Sequence, residues 1–147
     1  MMFRTPGELI EQFPWLNPRE DWSNDYLQFE DEEEAWTELD NLPEGWKEGF
    51  LEDMLTEIDE VLNEYDCVED YRVLSASSLG GILKWQHAGF VEEAKEDLNR
   101  IIKLYKKVAN ETCMECGRYG KSYSVSGDIV TACELHKPDE DDIDVLL

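Results

Sequence analysis

Residues 44–65 read EGWKEGFLEDMLTEIDEVLNEY, and they decide what kind of fold this chain can have. Trp46, Phe50, Met54, Ile58, Val61, Leu62 and Tyr65 recur at helical spacing, so the stretch is predicted to be an amphipathic helix with one apolar face. Glu44, Glu48, Glu52, Glu60 and Glu64 fall on an i+4 row opposite that face, interrupted at Thr56, with Asp53 and Glu57 beside it. At about 1.5 Å of rise per residue the row repeats a carboxylate every ~6 Å.

Outward from this helix, residues 71–87, YRVLSASSLGGILKWQH, change period. Tyr71–Ser77 and Ile82–His87 read as two strands, with Gly80-Gly81 as a turn or a bulge between them. Residues 90–109 return to helical spacing, with Val91, Ala94, Leu98, Ile101, Ile102, Tyr105 and Val108 on the inner face. The end of that segment is basic: Arg100, Lys103, Lys106 and Lys107 suit the negative end of a helix dipole and are placed to pair with the acidic first helix. Before residue 44, Thr5 and Pro6 mark the start of a short helix that ends ahead of Pro14. Residues 18–42 mix Trp22, Tyr26, Phe29 and Trp36 with acids and show no period, so an extended, aromatic-anchored loop is expected there, with Glu30–Glu34 as solvated surface. The expected fold is α+β: two main helices packed on a small antiparallel sheet, with a C-terminal knuckle hairpin. Residues 1–136 form a single compact domain in this reading, divided into 1–43 (N-terminal helix and acidic loop), 44–110 (helix–strand–helix core) and 111–136 (knuckle), and 137–147 form a flexible acidic tail.

The chemistry is concentrated in residues 112–136, TCMECGRYGKSYSVSGDIVTACELH, which hold three of the four cysteines and one of the two histidines. Cys113 and Cys116 form a C-x2-C pair, and Cys133 and His136 a C-x2-H pair sixteen residues later. Two short chelating pairs joined by a returning loop reach the four corners of a tetrahedral zinc site. Gly117 and Gly120 suit the turn after the first pair, and residues 123–126 and 128–131 can pair as a hairpin around Gly127. A redox dithiol of Cys113 and Cys116 is the competing reading, but such motifs usually open a helix after a strand. Four protein ligands close the site, which makes the zinc structural, clamping the hairpin to the second helix. The H-x-E that a zinc deaminase needs is missing. Cys67 reads as a core or boundary cysteine, and His87 as polar filler at a strand end.

The charge is lopsided. The formal net charge is -23, and residues 20–70 carry 21 acidic residues against a single base, Lys47. Such a chain repels phosphate backbones and anionic membranes and attracts basic proteins or cations. Neither a membrane span nor a signal peptide is legible, so a cytoplasmic setting is expected. There is no Walker loop and no dinucleotide fingerprint.

The stretches FPWLNPR, TELDNLPEGWKEGFLEDMLTEIDEVL, VEDYRVLSASSLGGILKWQHAG and TCMECGRYG…VTACELH, taken in order, resemble a family of small uncharacterised proteins from phages, prophages and bacteria. The resemblance covers nearly all of the chain except the acidic tail, and it is the order of the motifs rather than any one of them that is distinctive. It implies a phage or mobile-element setting, with the host cytoplasm as location, and a zinc knuckle at Cys113, Cys116, Cys133 and His136. It transfers no activity. The chain departs from relatives in the knuckle loop, where Ser126-Gly127-Asp128-Ile129 stands in place of a Gly-Gly-Trp. The expected function is therefore non-enzymatic: an acidic, zinc-binding accessory protein that binds and inhibits a basic host protein, as a DNA mimic or anti-defence factor. Its contact residues would be Glu44, Glu48, Glu52, Asp53, Glu57, Glu60 and Glu64, with Glu32, Glu33 and Glu34. The alternative is a nucleic-acid-binding knuckle using Arg100, Lys103, Lys106, Lys107, Arg118 and Lys121.

Overall fold

A computed structural model describes residues 5–17, 36–79 and 82–143. It is α+β, with helices and two separate two-stranded antiparallel sheets. Helix α1 (Pro6–Gln12) starts as its sequence dictates. The Thr5 hydroxyl accepts the Glu8 N–H at 3.3 Å, the Glu8 carboxylate accepts the Thr5 N–H at 3.2 Å, and Pro6 occupies the first position. The chain then tightens into a 3-10 turn at Pro14–Leu16 that buries Trp15 and Leu16. A second 3-10 turn, Glu38–Asn41, is closed by Thr37 and Asp40 in the same reciprocal manner and buries Leu39. The remainder of the aperiodic acidic segment, with Glu32, Glu33 and Glu34, lies outside the described residues.

The acidic stretch is one continuous helical rod made of three parts. Helix α2 (Glu44–Trp46) runs into a π-helical turn at Lys47–Leu51 and on into α3 (Glu52–Glu64), with helical backbone angles at both junctions. Trp46, Phe50, Met54, Ile58 and Leu62 are buried as their spacing requires. Leu51 and Leu55 are buried too, so the apolar face is broader than a single i+4 stripe. The π turn contributes to this breadth, because one extra residue in the turn re-phases the helix and lets Phe50 and Leu51 both face inward.

Strands β1 (Arg72–Leu79) and β2 (Ile82–Ala88) pair antiparallel from Arg72↔Ala88 to Leu79↔Ile82. The register shifts between Val73 and Ser75, leaving Leu74 exposed without an opposite residue. Gly80 and Gly81, read above as a turn or bulge, lie outside the described residues. Helix α4 (Glu92–Ala109) packs along α3 and against β2, while β1 is covered by the turns at Glu38–Asn41 and Pro14–Leu16. Ala94, Leu98, Ile101, Ile102 and Tyr105 form its buried face. Val91, assigned above to that face, instead precedes the helix with extended backbone and is exposed.

His87 has a partner that its position in the sequence does not reveal. The Tyr71 hydroxyl receives the Trp85 indole N–H at 3.3 Å and lies 3.0 Å from His87 Nδ1, while Trp15 meets Tyr71 edge-on with centroids 5.2 Å apart. Burial lowers the His87 pKa, which favours the neutral ring beside the Tyr71 hydroxyl. Aromatic donors also pin carboxylates at the rim of the core: Trp15 to Asp59 at 3.0 Å, Tyr65 to Asp97 at 2.9 Å, and Tyr105 to Glu57. The last two tie α3 and α4 together across their outer edges. Tyr105→Phe should therefore lower stability by about 1 kcal/mol, a modest loss because Glu57 keeps partial contact with water. A urea midpoint unchanged from wild type would show that the bond contributes nothing.

Candidate metal centre

Cys113 follows the last turn of α4, and the C-x2-C segment folds back at once. Cys113 N–H donates to the Arg118 carbonyl at 2.7 Å, and Gly117 N–H to the Cys113 carbonyl at 3.0 Å. Gly117 takes a φ of 82°, a conformation that suits glycine. Strands β3 (Lys121–Val125) and β4 (Asp128–Ala132) then form a hairpin whose two turn residues, Ser126 and Gly127, have φ of 51° and 86°. Two positive φ values in a two-residue loop make the twisted turn that matches antiparallel strands. This return delivers Cys133 and His136 beside the first pair.

The ligand atoms of Cys113, Cys116, Cys133 and His136 all lie within 4.8 Å of one another. Cys116 Sγ is 3.6 Å from Cys133 Sγ, and His136 Nδ1 is 3.7 Å from Cys113 Sγ and 3.2 Å from Cys133 Sγ. A tetrahedral ion with ordinary zinc–sulfur and zinc–nitrogen bonds has edges of about 3.8 Å between sulfurs and about 3.5 Å between sulfur and nitrogen. The four side chains therefore fit a metal ion. The arrangement draws in Cys133 and His136 as fully as the C-x2-C pair, which a redox dithiol would not require.

The electrostatics suit a cation. Burial alone would raise the Cys113 thiol, but N–H groups of Cys116, Cys133 and Glu115 outweigh it and bring the pKa down to about 6. For Cys133, burial is likewise outweighed, by hydrogen bonding to His136 and to the Leu135 N–H, and the thiol is lowered. Cys116 is raised: the Arg118 N–H lowers it, but burial and the two neighbouring sulfurs prevail. Hydrogen bonding to Cys133 and Cys113 raises His136. Negative charge thus collects among the sulfurs, where a cation would neutralise it.

The knuckle meets the segment just after α4 through the Gly120 N–H bond to the Glu111 carbonyl at 2.8 Å. It also meets the start of the acidic rod, a contact the spacing of the sequence does not suggest. Gly45 N–H donates to the Met114 carbonyl at 2.8 Å, and the Trp46 indole N–H to the Thr112 carbonyl at 3.2 Å. A Cβ on Gly45 would lie 2.1 Å from the Cys113 oxygen, and one on Gly117 would lie 2.7 Å from the Gly45 oxygen and 2.9 Å from the Gly49 nitrogen. Backbone meets backbone along this seam, which only glycine permits. The signal in the sequence was the pair Gly45 and Gly49, four apart on a helix that otherwise avoids glycine.

Along the acidic row, Glu44, Glu48, Glu52, Asp53, Glu60 and Glu64 are exposed. Glu44 also pairs with Lys47 at 3.3 Å. Glu57 is only half exposed, turned against Tyr105. Glu115, which the sequence reading did not include, is exposed on the knuckle, and its backbone nitrogen lies against Gly45 at the head of the row. Of the basic residues, Lys103, Lys107, Arg118 and Lys121 are exposed, Lys106 is half-buried, and Arg100 pairs with Asp97 of its own helix at 3.2 Å. Of the segment 137–147, expected as a flexible tail, residues 137–143 are described: they include a 3-10 turn at Glu140–Asp142 and a β-bridge from Ile143 to Val125, and 144–147 lie outside the described residues. Among the described residues no helix is long and apolar enough to cross a membrane. No family model, curated protein or solved structure matches this chain.

Proposed function

We propose that this is a zinc-stabilised, non-enzymatic binding protein whose acidic helical face engages a basic protein. Cys113, Cys116, Cys133 and His136 would hold the zinc. Three thiolates and one imidazole make a tetrahedral set that suits this ion, and four protein ligands leave no position for water or substrate. Bound there, zinc would supply cross-linking and no reaction chemistry. In this reading α3 and α4 are the two main helices, β1 and β2 the sheet they build on, and the knuckle hairpin an appendage held by the ion.

The observation that carries the functional reading is the row of exposed carboxylates on one rod: Glu44, Glu48, Glu52, Glu60 and Glu64, with Asp53 alongside. Negative charge spaced along a helical rod, with a gap at Thr56, presents to a basic protein much of what a nucleic-acid backbone presents. The resemblance to phage and prophage proteins gives the partner a setting, a host protein that binds nucleic acid and is inhibited when its basic surface is covered. Affinity capture from a bacterial lysate at low salt, followed by salt titration of each captured protein, tests this. A nucleic-acid-binding protein should be retained and should dissociate steeply with salt, as phosphate mimicry requires. The combined change of Glu44, Glu48, Glu52 and Glu60 to Gln should abolish its capture. Retention of the same protein by that variant, or binding indifferent to salt, would refute the reading.

One observation favours a second reading. Tyr119 is 71% exposed between Arg118 and Lys121 on the knuckle, the combination of ring and cations on which single-stranded bases stack. The net charge of -23 opposes it. Mobility shifts with single-stranded DNA and RNA at low salt decide: no shift at micromolar protein ends this alternative.

A further inference from the structure

The glycine seam joins two features that the sequence keeps apart. The head of the acidic rod, α2 and the π turn, carries Glu44 and Glu48, and each precedes a seam glycine, Gly45 and Gly49. The rest of the row, Glu52 to Glu64, rides on α3; Trp46, Phe50 and Leu51 of the head are buried in the same main core as Met54, Leu55, Ile58 and Leu62, and the head in addition meets the knuckle. Opposite the seam is the C-x2-C turn. The Cys113 oxygen faces Gly45, the Met114 carbonyl takes the Gly45 N–H, and the Gly117 oxygen faces Gly49. The nearest atoms across this contact are backbone, apart from the Thr112 methyl, which faces Gly49, and the Trp46 indole N–H spans it to the Thr112 carbonyl. The shape of residues 112–117 is therefore transmitted directly to residues 45–49. That shape is what the metal ligands Cys113 and Cys116 would set.

We infer that metal loading of the knuckle locks the head of the acidic rod, so that metal occupancy controls whether Glu44, Glu48 and Glu115 stand in line with Glu52 to Glu64. Its consequence for binding rests on the reading of the row as a partner-facing surface; the coupling itself does not. With the ion gone, the C-x2-C turn loses its constraint, the Gly45 and Trp46 hydrogen bonds to Met114 and Thr112 lose their fixed acceptors, and the π turn keeps only its core contacts through Phe50 and Leu51. The row is then shortened at one end. The coupling is reciprocal: whatever disturbs the seam weakens the metal.

Amide hydrogen exchange on the full chain, zinc-loaded and chelated with zinc content measured, tests the coupling without any partner. On chelation, amides of residues 45–51 should lose protection along with those of 113–120, while residues 55–62 and 98–105 keep theirs. Protection at 45–51 that survives chelation while the knuckle exchanges would overturn the inference. So would simultaneous loss of protection throughout the chain, because the head would then have no separate response. A second measurement approaches from the other side. A Cβ on Gly49 would lie 2.9 Å from the Gly117 oxygen and 2.9 Å from the Thr112 methyl. Gly49→Ala should therefore weaken zinc, read by competition with a chromophoric chelator, by between about 5-fold and about 150-fold. Unchanged zinc affinity in that variant would show that the seam carries no coupling. Failure of the partner-binding reading is seen separately, in the salt titration of captured proteins, and leaves both of these measurements standing.

Discussion

Chelating the metal from the full chain should unfold residues 112–136 and leave α3 and α4 standing. The reason is how the apolar residues are divided. One large cluster runs from Leu9 and Trp15 through Trp46, Met54, Ile58 and Tyr71 to Leu98 and Tyr105, and it draws on every helix and on the β1–β2 hairpin. The knuckle has its own cluster, and that consists of Cys113, Ala132 and Cys133, with Cys116 and Tyr123 partly buried against it. Take the cysteines away and one alanine and part of a tyrosine remain. So small a cluster buries too little apolar surface to hold the segment in shape by itself. A structural zinc ion contributes folding free energy directly, and small domains built around one commonly unfold without it. In amide NMR spectra the signals of residues 112–136 should collapse to the random-coil region on chelation, while those of 52–64 and 92–109 persist. Cys113→Ser and Cys133→Ser should do the same without chelator, and bound zinc should fall from about one per chain to none. A knuckle that keeps its dispersed signals without metal would remove the ion from any structural role.

The second large effect is expected at Gly45→Ala. Helix propensity alone argues the other way, since alanine is about 1 kcal/mol better than glycine inside a helix. Packing decides the sign. The new methyl would lie 2.1 Å from the Cys113 oxygen, 2.5 Å from the Met114 carbonyl carbon and 2.7 Å from the Glu115 nitrogen. All three are backbone atoms, so no rotamer change relieves the clash, and the knuckle must move off the rod. Doing so also breaks the Gly45–Met114 hydrogen bond. A net loss of about 2 kcal/mol or more is expected, which for a domain of this size lowers the melting temperature by about 4–8 °C. Gly127→Ala provides the contrast. Nothing lies within 4 Å of its Cβ position, and only its φ of 86° resists the change. That substitution should cost about 1–2 kcal/mol and leave zinc affinity as it was. Equal effects of the two substitutions on zinc affinity would show that contact across the seam is not the cause.

Several elements were legible because their causes are local. Thr5, Pro6 and Glu8 are neighbours, and together they start α1 whatever the rest of the chain does. Trp46, Phe50, Met54 and Ile58 repeat at the period of one helix, which names the buried side without naming what covers it. Cys113 with Cys116 and Cys133 with His136 are two short chelates, and Gly127 with its flanks suffices to bring them together. Less was legible where residues are fixed by partners far along the chain. Glu57 reads as a surface acid beside the row, yet Tyr105, 48 residues later, turns it to the rim of the core, as Trp15 does for Asp59 from 44 residues earlier. His87 read as filler until Tyr71 was brought against it by the pairing of β1 and β2. The turn at Glu38–Asn41 has no period to detect, only a reciprocal cap between Thr37 and Asp40.

Sequence by itself determined the main helices, the hairpins and a set of four side chains that could hold a metal, because spacing along a chain fixes periodicity and brings short chelating pairs together. Tertiary structure alone decided where the metal set sits. Gly45 and Gly49 look like weak points in a helix, and become a seam only when Gly117 arrives from the other end of the chain. An absent side chain leaves no pattern in a sequence; what it allows depends on which backbone fills the space.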